Sequence, residues 1–196
     1  MHLHDILDQE LARFEDKPIR VVETGTIRDA REETGHGGDG WSTIYFAERH
    51  KRTAARYTND FVSIDLDTSI AESVLRARNL RNHVYLVRGH SIWELASLAV
   101  AAGLNNQVYD VAFLDSDNDA KLIFHEFLIA QHLVRAGGLI IIDDVRMPHH
   151  PVGAFKGDIV WPYVQKHALK HHIVEREGWN GYKAGVLVIG NDRQSL

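Results

Sequence analysis

The chain has 196 residues, 44% hydrophobic and 25% charged, with a formal net charge of −5 and no cysteine. That length and balance predict one domain over 1–196 with its own core and exclude a disordered chain, while the missing thiols exclude disulfides and thiolate metal sites. An acidic chain is also a poor match for nucleic acid or an anionic membrane surface, which both call for a basic face.

Residues 1–17 are charged and amphipathic. They read as an N-terminal helix rather than a secretory signal, because no apolar stretch is flanked by a cleavage site. Residues 19–22 open a series of five short apolar runs rich in β-branched residues, continued by 61–64, 84–87, 111–114 and 139–142. None is long enough for a helix, and continuous apolarity predicts strands covered on both faces. The longest, 139–142, is far too short to span a membrane, so a cytoplasmic protein is expected. Between the runs lie segments of helical period: 41–51, with Ile44, Phe46 and Ala47 near one face, then 69–80, 92–104 and 122–134. Gly137 and Gly138 stand where a C-cap would end the last of these. A loop over 147–157 leads to a helix over 160–170. Strands over 172–175 and 184–189 close the chain as an antiparallel hairpin around Gly178 and Gly181. Strand and helix in alternation predict a Rossmann-like, doubly wound α/β fold. Its sheet would be mostly parallel and seven-stranded, with an antiparallel C-terminal hairpin and helices on both faces.

In such a sheet, ligands bind beyond the carboxyl ends of the strands. Those ends read Glu23-Thr24-Gly25, Asp65-Leu66-Asp67, Gly89-His90-Ser91, Asp115-Ser116-Asp117 and Asp143-Asp144. Carboxylates from four strands therefore meet on one rim, and they repel one another unless they share a cation. The first loop has neither the G-x-G-x-x-G spacing of a dinucleotide site nor the G-K-[ST] of a P-loop. An acidic residue before its first glycine suits a positively charged ligand.

There are three other readings. Asp115, Asp117, Asp119, Leu122 and Glu126 fall at EF-hand positions, but Ala120 stands where that loop needs glycine. Asp65-Leu66-Asp67 and Asp115-Ser116-Asp117 match the D-x-D of a metal-dependent nucleotide-sugar glycosyltransferase. A non-catalytic domain that keeps the fold is the third alternative.

In chain order, Glu23-Thr24-Gly25, Gly40-Trp41-Ser42-Thr43, Ser63-Ile64-Asp65-Leu66-Asp67, Phe113-Leu114-Asp115 and the run from Gly137 to Val145 resemble class I S-adenosylmethionine-dependent methyltransferases. Within that class the likeness is to the metal-dependent small-molecule O-methyltransferases of the catechol and macrocin type. It covers residues 21–145 and extends through the terminal hairpin to Ile189. The resemblance implies that Glu23 and Gly25 lie by the methionine part of the cofactor, with Ser42 near its carboxylate at a helix N-terminus. It implies Asp65 on the ribose hydroxyls, His90 and Ser91 by the adenine, and Asp115 among the cofactor-binding residues. Asp115, Asp143 and Asp144 would hold Mg²⁺ or another hard cation. The reaction implied is methyl transfer to a hydroxyl of a sugar, polyketide-linked sugar or phenol, with Asp115 and His149 as the expected catalytic residues. Asp117, Lys121 and His150 are further candidates for the base. Residues 26–39 are an insertion relative to the family, read as a lid or a surface excursion. The expected partner is a small hydroxylated acceptor, and a homodimer is assumed without a residue that argues for it.

Overall fold

The computed structural model describes residues 1–15, 17–30, 41–53, 60–105, 108–145, 156–177 and 183–192. Seven strands form one sheet: β1 (Val21–Thr24), β2 (Phe61–Asp65), β3 (Tyr85–Arg88), β4 (Tyr109–Leu114), β5 (Val134–Val145), β6 (His171–Glu177) and β7 (Lys183–Asn191). Their order is β3-β2-β1-β4-β5-β7-β6. The first five are parallel, and β7 runs antiparallel between β5 and β6. This is the expected doubly wound sheet with its C-terminal hairpin.

Six α-helices are described: α1 (Leu3–Leu11), α2 (Trp41–Arg52), α3 (Ser69–Ala77), α4 (Ser91–Asn105), α5 (Ala120–Leu133) and α6 (Gly157–Lys166). The sheet divides the core into two clusters because side chains alternate across a strand. Val21, Phe61, Phe113 and Ile141 face α1, α2 and α3, where Ile6, Phe46 and Leu75 meet them. Val22, Ile64, Ala112 and Ile140 face α4, α5 and α6, where Leu95, Phe127 and Val160 meet them. Strands β1 and β4 are buried throughout their apolar positions, as continuous runs predict.

Four expectations change. The N-terminal helix closes at Leu11 and passes into a 3-10 turn over Ala12–Phe14 instead of running to residue 17. The sixth helix runs over Gly157–Lys166, starting and ending earlier than 160–170. Strand β3 is an edge rather than a doubly covered strand, with Tyr85 half exposed. Gly137 and Gly138 do not cap α5, which ends at Leu133; they lie inside β5, whose register against β4 shifts between Tyr109 and Val111. A Cβ at Gly138 would stand 2.6 Å from the Asp110 carbonyl oxygen, so close strand approach explains the glycine there.

Register decides what reaches the rim. Thr24 lies opposite both Ile64 and Leu114, and Leu114 opposite Ile142. One residue further on, the chain delivers Gly25, Asp65, Asp115 and Asp143 to the same edge. Connections leave β1 and β4 in opposite directions, which opens a crevice between those strand ends.

Candidate active site

Gly25 adopts φ +85°, and a Cβ there would lie 2.3 Å from the Asp115 carbonyl oxygen. Only glycine tolerates both the dihedral and the contact. Its N–H donates to the Ile64 carbonyl at 2.9 Å, and the Asp115 N–H donates to the Thr24 carbonyl at 2.9 Å. The ends of β1, β2 and β4 are thereby locked together. Arg28 adds a clamp, its guanidinium donating to the carbonyl oxygens of Asp115 (3.1 Å) and Ser116 (3.3 Å). The segment after Gly25 thus begins as part of the fold. Thr26 and Ile27 are buried, while residues 31–39 lie outside the described residues.

Glu23 and Thr24 point to opposite faces of β1, and each belongs to a buried polar group. Glu23 is fully buried and accepts hydroxyl hydrogen bonds from Ser42 (2.6 Å), Thr43 (2.7 Å) and Ser63 (2.6 Å). Burial pushes its carboxyl up to about 8, against the pull of those hydroxyls. Ser42 therefore lies beside Glu23. Its hydroxyl is engaged there, so what it offers an anion is its backbone N–H in the first turn of α2. On the other face, Glu126 accepts from Thr24 (2.8 Å) and Ser116 (2.6 Å), and Ser91 also bonds it. Burial raises the Glu126 carboxyl too. Sequence reading considered Glu126 only as a calcium ligand, because helical position alone does not reveal which way a carboxylate faces.

Asp65, half-buried at the end of β2, accepts the backbone N–H of Thr26 at 3.0 Å and that of Asp67 at 3.2 Å. Asp67 is exposed and accepts the Ser69 N–H at 3.0 Å, the turn that starts α3. His90 is exposed at the start of α4, where its carbonyl receives the Trp93 and Glu94 N–H groups. Asp119 caps α5 by accepting from Lys121 at 2.8 Å. The EF-hand reading fails on this point, since Asp119 faces its own helix while Glu126 is buried under Thr24.

Asp115, Asp143 and Asp144 do converge. Among the described residues they are the one group of acidic or histidine side chains close enough to share a metal ion, with ligand atoms within 4.8 Å of one another. Successive strand residues ordinarily point to opposite faces. Here β5 shifts register between Ile142 and Val145, and Asp144 takes φ +51°. That bulge turns both carboxylates the same way.

Two cations among the described residues meet them, and sequence reading missed both. Arg176 on β6 donates to both oxygens of Asp143 (2.7 and 3.0 Å) and to Asp144 at 2.6 Å. Lys156, immediately before α6, donates to Asp115 Oδ1 and stands 3.6 Å from Asp144 Oδ2. Lys156 is only 3% exposed. Burial pulls its ammonium down, but Asp115, Asp144 and Asp143 more than offset this and raise it. Burial raises the Asp143 carboxyl, and the Arg176 guanidinium opposes that rise. The oxygen donors and their spacing are compatible with a hard cation. Their pairing is not that of a prepared metal site, because a divalent ion would have to displace Lys156. His149 lies outside the described residues.

A family model described as a methyltransferase domain matches residues 34–145. The chain belongs to that methyltransferase-domain family. Three solved structures share its fold. Cofactor-bound Rv0187 from MTB superposes with a TM-score of 0.68 at 19% identity, covering 97% of this chain and 80% of that one. The O-methyltransferase from Bacillus cereus in complex with SAH gives 0.64 at 21%, covering 94% and 79%. The O-methyltransferase TomG from Streptomyces achromogenes, involved in tomaymycin synthesis and solved with SAM, gives 0.63 at 22%, covering 94% and 78%. No curated protein sequence matches the chain. No helix among the described residues is long and apolar enough to cross a membrane.

Proposed function

We propose that this chain moves the methyl group of S-adenosylmethionine to a hydroxyl of a small molecule, of the sugar, polyketide-linked sugar or phenol kind. One observation carries the reading: Gly25, Asp65 and Asp115 converge on the crevice between the ends of β1 and β4. Membership of the methyltransferase-domain family supports it, as does the likeness to O-methyltransferases solved with SAM or SAH.

The cofactor supplies an electrophilic methyl on a sulfonium, so the protein's work is orientation and charge. Asp65 would take the ribose hydroxyls, with His90 and Ser91 beside the adenine at the start of α4. Glu23 ties β1 to the first turn of α2 and to β2, through the hydroxyls of Ser42, Thr43 and Ser63. The first turn of α2 would receive the cofactor's carboxylate on its N–H groups. The rim's negative charge attracts a sulfonium. As the oxygen–carbon bond forms and the sulfur–carbon bond breaks, the hydroxyl proton passes to a base, for which Asp115 and His149 are our candidates. Mg²⁺ would be held by Asp115, Asp143 and Asp144 only if Lys156 gave way.

Isothermal titration with S-adenosylhomocysteine tests the reading. Wild type is expected to bind, and Asp65→Ala to bind about tenfold or more weakly, the loss of hydrogen bonds to a charged acceptor. An absence of binding by folded wild type contradicts the proposal.

A further inference from the structure

The acidic rim has its own counter-ions, and they are held in place by the fold. Asp143 has both carboxylate oxygens on Arg176, and Asp144 has one oxygen on Arg176 and the other near Lys156. Asp115 meets Lys156. Three carboxylates therefore face two buried cations. Adding a dication to that group would set it against an ammonium and a guanidinium at contact distance, in a setting that screens charge poorly.

Lys156 is also fixed in position. The residue after it, Gly157, packs so closely on Val145 that a Cβ would lie 2.6 Å from Val145 Cγ1. Val145 directly follows Asp143 and Asp144 on β5. The start of α6 is thus seated on the same strand that carries two of the three carboxylates, and this seating aims the lysine stem at them. A tethered ammonium competes with a free ion at a high effective concentration.

We propose that Lys156 is the resident cation of this site, filling the place among Asp115, Asp143 and Asp144 that a divalent ion would otherwise take, and that the enzyme works without such a metal. The role in methyl transfer rests on the function proposed above; the exclusion of metal does not.

Manganese binding, followed by the electron paramagnetic resonance of free Mn²⁺, tests this on the full chain. Wild type is expected to bind no Mn²⁺ at this site up to about 1 mM. Lys156→Met, which keeps the stem and removes the charge, is expected to acquire one Mn²⁺ and to bind it about tenfold or more tightly than wild type. Lys156→Arg should stay metal-blind. Lys156→Gln replaces the methionine variant if circular dichroism shows the latter unfolded. Stoichiometric Mn²⁺ binding by wild type overturns the proposal, and so does a neutral variant that gains none. Titrating S-adenosylhomocysteine into the same samples separates the two ideas, because a lack of cofactor binding removes the methyltransferase reading and leaves the manganese result intact.

Discussion

Glu23 is a carboxylic acid buried where three hydroxyls reach it, and its ionisation is coupled to folding. Its ordinary value is 4.5, whereas burial holds the folded group's proton up to about 8. A group raised on folding contributes stability that is fully present below the unfolded value and lost as pH rises through the folded one. For Glu23 that interval runs from about pH 4.5 to 8. The cofactor-free protein should therefore lose stability relative to Glu23→Gln across it, whatever constant offset the amide carries. Melting curves of both proteins at pH 5 and pH 8 are expected to show the variant gaining on wild type by on the order of several degrees in Tm. A Tm difference that does not change with pH contradicts a buried, proton-holding Glu23. Glu126 on the opposite face of β1 has the same character, so β1 ends between two hydrogen-bonded acids on either side of its backbone.

At the scale of elements, β5 and the terminal hairpin form one electrostatic unit. The bulge at Asp143 and Asp144 has a purpose only if something reaches both carboxylates, and Arg176 does so across β7. In register, Arg176 sits opposite Ala184, the small residue that its side chain passes on the way to β5. The pair is almost wholly buried, with Arg176 9% and Asp143 3% exposed. Removing one partner of a buried pair leaves the other charged and unsolvated. Arg176→Met is thus expected to cost about 3–5 kcal/mol of unfolding free energy. Pairing it with Asp143→Asn should recover part of that loss. Urea denaturation of the two variants checks both statements, and a double variant no more stable than Arg176→Met would show that the two side chains do not act together.

The whole molecule explains which parts of the site the sequence discloses. Strand runs and helical periods were legible, since a parallel sheet buries its strands and leaves their carboxyl ends as the first polar residues. Gly25, Asp65, Asp115, Asp143 and Asp144 could be read from that rule alone. Lys156 and Arg176 could not. Lys156 lies 41 residues from Asp115 and Arg176 33 residues from Asp143, and the seating of α6 on Val145 and the pairing of β6 with β7 bring them there. The glycines at 137 and 138 misled for a related reason. Locally they look like a helix cap, but Gly138 is required by the close approach of Asp110 across the sheet, and Gly137 by its φ of +77°. Ser42 and Ser91 stand out in the sequence at helix starts, yet the use of their hydroxyls on buried acids depends on packing that periodicity does not encode.

A crystal structure of the protein grown with S-adenosylhomocysteine tests the central claim most directly. The ribose is expected on Asp65, the base beside His90 and Ser91, and the amino-acid end over Gly25, with the Lys156 ammonium still on Asp115. A nucleoside bound anywhere other than the crevice between the ends of β1 and β4 would contradict it.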